Sequence, residues 1–261
     1  MKRIVAVVDA VHFREEQLDA FQYVTWLLEG SLKVLLLENE ASLAVPAEMW
    51  QPPAQIPPAD LQILEEECRE RGIQTTWQRG KGIALKEVVR ESRFADLLLI
   101  DRNTSLSNLF PADVPGFIKD VPADAQCPVL VLPEGAGRFG EVVFTYNGSY
   151  SSVYAMKKFL QLFPRLGHEK ATVIYVPEKG IPIIPNEQLL KEYLHLYFTE
   201  VTFVVLQGLP EVEIRKFLQE KEDAVAVMGA YGRNTFSRFF NPGNTRNLLR
   251  NLHVPVFITH P

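Results

Sequence analysis

The sequence predicts an α/β protein built from two tandem, doubly wound, five-stranded parallel-sheet domains, and three observations carry that expectation. β-Branched apolar runs alternate with segments whose apolar residues recur at three and four positions, the pattern of a parallel sheet flanked by helices. The chain also repeats itself when it is cut near PEGAGRFGE at 133–141, with like segments offset by roughly 130 residues. Finally, 261 residues with 47% apolar content suffice for two ordinary domains. The repeat sets them at 1–135 and 136–261.

The elements follow in order. RIVAVVDA opens the first copy as a strand, EEQLDAFQYVTWLLE forms its first helix, and ADLQILEEECRERG forms its second, closed by Gly72 as a C-cap. A proline-rich insert, VPAEMWQPPAQIPPAD, precedes that second helix. Its X-Pro steps favour extended backbone, so it reads as a surface loop or as a PxxP-like docking segment. RGKGIALKEVVRESRFADLLLID then supplies turn, helix and strand, and CPVLVLPE closes the copy.

The second copy repeats this as EVVFTYNG, QGLPEVEIRKFLQEKEDAVAVMG and VPVFITHP. Its strands are expected at 141–146, 171–176, 201–206, 223–228 and 254–259. SSVYAMKKFLQLF, NEQLLKEYLHLYF, PEVEIRKFLQEK and NTRNLLRNL are the intervening helices.

Charge and composition exclude several classes. The net charge is −5, and the chain shows no continuous basic stripe or recognition motif, which argues against duplex DNA as a ligand. The charge is uneven: up to Gly137 there are 13 basic and 21 acidic residues, and beyond it 14 and 11. No charge-free apolar run approaches the ~20 residues that span a bilayer, and MKRIVAVVDAVHFREEQ turns acidic too early for a signal peptide, so a cytoplasmic protein is expected. Cys68 and Cys127 lie apart without a CxxC pattern, which suggests reduced, structural thiols. His12, His168, His195, His253 and His260 lack metal-ligand spacing. Lys81 in GKG lacks the remainder of a phosphate-loop pattern, and no GxSxG elbow is present.

Ligands of open parallel sheets sit beyond the carboxyl ends of the strands, where helix N-termini present free N–H groups. In the second copy those positions read TYNGSYSS and MGAYGRNTFSRFFNPGNT. Gly229 and Gly232 allow close approach of backbone to a ligand, and Gly243, Asn244 and Thr245 open the last helix. Arg233, with Arg238 and Arg246 nearby, supplies cations for phosphate oxygens. The same residues also suit a plain turn with a helix cap, and Ser149 and Ser151 are equally well explained as caps; both readings stand at this level. In the first copy, Asp101 and Arg102 replace the glycine and Asp113 lies close by, which disfavours an anion.

On these residues the chain resembles the tandem universal stress proteins over essentially its whole length. The family loop is Gly, two residues, Gly, nine residues, Gly, then Ser or Thr. Gly229 and Gly232 match it; Pro242 stands at the third glycine, with Gly243 and Asn244 one position later. VMGAYGR and SRFF are close to second-half sequences of two-domain members. Family members that bind ATP hold adenine near an aspartate after the first strand, where this chain has Asn147, and by backbone after the second strand, near Val176. In the first copy Asp9 matches that aspartate, without the glycine loop.

The resemblance implies an adenine-nucleotide alpha hydrolase-like fold, two domains packed as a pseudo-dimer, and a stress-response role in the cytoplasm. It further implies ATP or a related nucleotide, with Mg²⁺ accompanying it, held by Asn147, Val176, Gly229, Gly232, Arg233, Gly243, Asn244 and Thr245. No catalytic residue and no protein metal ligand is expected. An unknown protein partner and a homodimer are compatible with this reading, as are two alternatives, a slow ATPase using Arg233 and a partner-binding scaffold without a nucleotide.

Overall fold

The apolar runs form the strands of parallel sheets in a computed structural model that describes residues 1–9, 13, 15–37, 58–79, 84–102, 121–177, 182–229 and 253–261. The chain divides into two compact units, Met1–Val129 and Leu130–Pro261.

In the first unit the order is β1 (Lys2–Asp9), α1 (Gln17–Leu28), β2 (Gly30–Leu37), α2 (Pro58–Glu70), β3 (Thr75–Arg79), α3 (Ala84–Ser92) and β4 (Leu97–Asp101). The division between units falls inside β5 (Val129–Leu132). The spatial order is β3-β2-β1-β4-β5, with β1 pairing in parallel with both β2 and β4. Winding outward from β1 in both directions covers both faces of the central strands, so they read as unbroken apolar runs. Ile4 to Val8 and Leu97 to Ile100 are accordingly buried.

Polar groups tie the strand starts together. Arg3 N–H donates to Asp96 at 2.8 Å, and Glu91 on α3 accepts from Arg3 and Lys33 at 3.1 and 2.9 Å. Gly72 caps α2 as the sequence predicts, in a left-handed conformation with φ +71°. Its N–H donates to Arg69 O and Ile73 N–H reaches back to Cys68 O at 2.8 Å, the paired bonds of a Schellman cap.

The second unit contains β6 (Glu141–Tyr146), α4 (Tyr150–Leu162), a 3₁₀ turn (Pro164–His168), β7 (Lys170–Tyr175), α5 (Glu187–Leu194), β8 (Val201–Val205), α6 (Pro210–Gln219), β9 (Ala224–Gly229) and β10 (Val256–Thr259). Its strand order is β10-β9-β6-β7-β8. Strand positions agree with the sequence to within one or two residues. The helix expected over 186–198 ends at Leu194, because the chain then tightens through three-residue hydrogen bonds such as Tyr197 N–H to Leu194 O. That turn directs Phe198 into the core beside Phe144, at 5.9 Å between ring centroids. The helix expected over NTRNLLRNL lies outside the described residues.

Six buried phenylalanines hold this unit together. Phe159 on α4 and Phe163 at its C-cap lie 5.2 and 6.1 Å from Phe257 of β10, Phe159 meets Phe144 of β6 edge to face at 6.1 Å, and Phe139 packs on Phe163. Such edge-to-face pairs add about 1 kcal/mol each beyond the area they bury. They fix α4 across the sheet, and the candidate site depends on that position.

At the opposite, amino-terminal edge of this sheet, Glu141 accepts hydrogen bonds from Lys221 Nζ at 2.7 Å and Thr172 Oγ1 at 2.5 Å. Burial pushes the Glu141 carboxyl up, but these two donors and the Lys221 charge outweigh it, so it titrates below the ordinary value of 4.5. The stabilisation is therefore complete above the ordinary carboxylate range and is lost as pH falls through the lower folded value. Glu141→Gln should cost about 2 kcal/mol at neutral pH and remove this share of the acid dependence. Urea unfolding across pH 3 to 7 checks both, since a pH-independent difference between the two proteins contradicts the assignment.

Candidate functional site

Three adjacent strands of the second unit end at one level. β6 pairs with β7 through Tyr146 and Tyr175, and with β9 through Phe144 and Val227. The register brings Asn147, just after β6, Val176, just after β7, and Gly229, the last residue of β9, to the same carboxyl edge. The loop from 230 to 252 lies outside the described residues, and with it Gly232, Arg233, Gly243, Asn244 and Thr245.

The turn from β6 into α4 is closed by its own side chains. Asn147 Oδ1 accepts from Ser149 N–H at 3.1 Å and from Ser149 Oγ at 2.6 Å, while Ser149 Oγ caps α4 by accepting from Ser152 N–H at 3.4 Å. Ser152 Oγ donates back to Ser149 O at 2.8 Å. Ser149 is thus the helix cap, the structural half of the expectation from sequence. The Asn147 carbonyl has both its lone pairs taken inside the turn. Its exposed amide Nδ2 is the group left to face a ligand.

Gly229 has a packing duty that the glycine pattern alone does not reveal. A Cβ at this position would lie 2.2 Å from Ser151 O and 2.7 Å from Ser152 N, both backbone atoms of the first turn of α4. Only glycine lets the end of β9 pass this close. The contact sets the amino end of a 13-residue helix, with its partial positive charge, against Gly229 at the end of β9.

The segment 182–186 completes this edge, and the sequence reading assigned it no role there. Tyr146 Oη donates to Pro185 O at 2.8 Å, Ile184 is buried, and the Pro185 ring lies 2.9 Å from where a Cβ on Gly148 would be. Gly148, at φ +77°, is doubly required, by its backbone conformation and by that ring. Burial raises the pKa of the Tyr146 phenol, so it keeps the proton it donates and cannot act as a base near neutral pH. The available signal was the Ile-Pro-Ile-Ile-Pro spacing, in which Ile184 is buried.

The first unit differs at the equivalent strand end. Asp101 ends β4 where Gly229 ends β9, and it is not without a partner. A carboxylate there repels phosphate and precludes the backbone approach that Gly229 permits. The Asp9 side chain and residues 103–120, including Asp113, lie outside what is described. Among the described residues no three His, Cys, Asp or Glu side chains converge as a metal site requires. No helix among them is long and apolar enough to cross a membrane.

No sequence-family model matches the chain, and no curated protein matches it in sequence. Solved structures do match in fold. A universal stress protein from Archaeoglobus fulgidus DSM 4304 superposes with a TM-score of 0.62 at 15% identity, over 99% of this chain and 96% of that one. A protein of unknown function from Pseudomonas aeruginosa PAO1 superposes with a TM-score of 0.65 at 16% identity, over 100% and 93%. The chain therefore has, over its whole length, a fold found in universal stress proteins.

The Gly229 geometry makes a sharp prediction. Gly229→Ala should destabilise the protein by about 3 kcal/mol, because backbone rather than a flexible side chain must yield. Gly72→Ala, where a Cβ meets nothing within 4 Å, carries only the left-handed backbone cost of about 1 kcal/mol. Equal losses for the two variants in thermal unfolding would contradict the close contact.

Proposed function

We propose that the protein is a stress-response protein of universal-stress type, acting in the cytoplasm. In this reading it has two like domains, 1–135 and 136–261, and the second holds an adenine nucleotide such as ATP without substantial turnover. The observation that carries the proposal is the contact of Gly229 with Ser151 and Ser152, which directs the amino end of α4 at the start of the glycine and arginine loop. A helix amino end with N–H groups to spare is suited to phosphate.

In this reading the α4 amides and the loop residues Gly232, Arg233, Gly243, Asn244 and Thr245 receive the phosphates. Backbone at Val176 and the free amide of Asn147 face the base. Because the Asn147 carbonyl is held by Ser149, base recognition runs through a donor, directed at a ring nitrogen, rather than through an acceptor for the adenine amino group. Magnesium, when present, arrives with the nucleotide's phosphates.

Two measurements test this. Protein purified from cells and then denatured should release ATP or a close relative, seen by mass spectrometry, and the refolded or apo protein should bind added ATP without releasing phosphate. Arg233→Ala should weaken binding about tenfold or more, the loss of a hydrogen bond to a charged group, with the circular dichroism spectrum unchanged. Phosphate release at a steady rate would instead establish an ATPase. No binding at millimolar ATP would overturn the nucleotide site and leave a partner-binding scaffold.

A further inference from the structure

We infer that β8 is a self-association edge, along which a second copy of this chain adds its own β8 antiparallel to the first and continues the sheet across a twofold axis.

β8 is the outermost strand of the second unit, and among the described residues only β7 pairs with it. Its backbone polarity follows from the ladder. Ala171 N–H donates to Glu200 O and Leu206 N–H donates to Tyr175 O, in a register that pairs Ala171 with Val201 and Tyr175 with Val205. In a parallel ladder the groups of alternate residues face the same side. Residues 200, 202, 204 and 206 therefore turn their N–H and C=O toward β7, and Val201, Phe203 and Val205 turn theirs outward.

Exposed edges are normally blunted by charge, proline or a bulge. The strand VTFVV has none of these, and no charged residue occurs from Val201 through Leu209. All five strand residues are only half-buried, in contrast to the buried central strands. The outer strand of the first unit, TTWQR, is polar and ends in Arg79. The second unit thus keeps an apolar edge that the first unit does not have.

The occupant is identified by self-complementarity. A twofold axis through Phe203 sets Phe203 opposite the partner's Phe203 and Val201 opposite the partner's Val205. All of these are outward-facing residues, so each opposed pair exchanges two hydrogen bonds and every outward donor and acceptor in the strand is satisfied. Side chains directly opposite across such a pair share a face, so the apolar rows continue from one copy into the next. The axis also runs the carboxyl end of each strand toward the partner's amino end, and Leu196 before the strand and Leu209 after it are exposed at 77% and 61%. Hydrogen bonds alone yield little net gain in water, and covering this apolar rim supplies the remainder. Glu200 at the strand start is paired with Lys170 at 3.8 Å, and Lys191 of α5, whose Nζ lies 5.2 Å from the Phe203 ring centroid, is held by Glu187. The pairing is isologous and closes on itself, so it stops at two copies.

The ladder also supplies its own test, sedimentation velocity of the full chain over a range of concentrations. The wild type should show a concentration-dependent dimer. Val205→Pro removes an outward N–H and leaves the β7 bonds in place, so it should weaken dimerisation at least tenfold while the circular dichroism spectrum is unchanged. Val205→Lys, which keeps the backbone and adds a charge at the edge, should do the same and serves if the proline variant does not fold. A wild type that stays monomeric throughout, or a dimer that neither variant weakens, overturns the inference.

Discussion

The second unit rests on a contact between two pieces of main chain. β9 ends against the first turn of α4 with no room for a Cβ, and this short distance is possible only because the residue there is glycine. The packing around it is arranged accordingly. Phe159 on α4 and Phe163 at its C-cap meet Phe144 and Phe257 from two strands of the sheet, so the carboxyl half of the helix is clamped. A helix so held cannot drift outward to relieve strain at its amino end. The aromatic core thus fixes the axis of the helix, and the glycine permits its end to come down onto the sheet edge.

The two units share a plan but differ in what their edges carry. The first unit ends its fourth strand in a carboxylate, Asp101, and borders its outer strand with polar residues. The second ends the equivalent strand in Gly229 and borders its outer strand with valines and phenylalanine. The charge imbalance read from composition points the same way, with the excess of acid in the first half. The two units share a strand order and an apolar centre. The residues at the strand ends and outer edges differ, because the core tolerates little change in volume while the edges tolerate much.

The fold was legible because its signals are local and repeated. Apolar runs bounded by turns located β6, β7, β8 and β9 to within a residue, since central parallel strands are buried on both faces and admit little else. Gly72 was legible as a cap because the left-handed position after a helix has few other occupants. The early end of α5 was not, because it is imposed by Phe198 finding a place against Phe144, a contact between residues more than fifty positions apart. The site was legible in part. Glycine, amide and hydroxyl after a strand mark a carboxyl edge, and Asn147, Val176 and Gly229 do share one. That Asn147 would expend its carbonyl on Ser149, and that Pro185 would lie over Gly148, depends on distances that no pattern of residue types encodes.

The two cysteines carry a last consequence. Burial raises the pKa of Cys68, and desolvation pushes that of Cys127 up to about 12, so both thiols stay protonated throughout the physiological range. Peroxides and disulfides react with thiolates, and a thiol held in its protonated form is slow toward both. These are the only two cysteines in the chain. An oxidant therefore meets no ready thiolate at either cysteine.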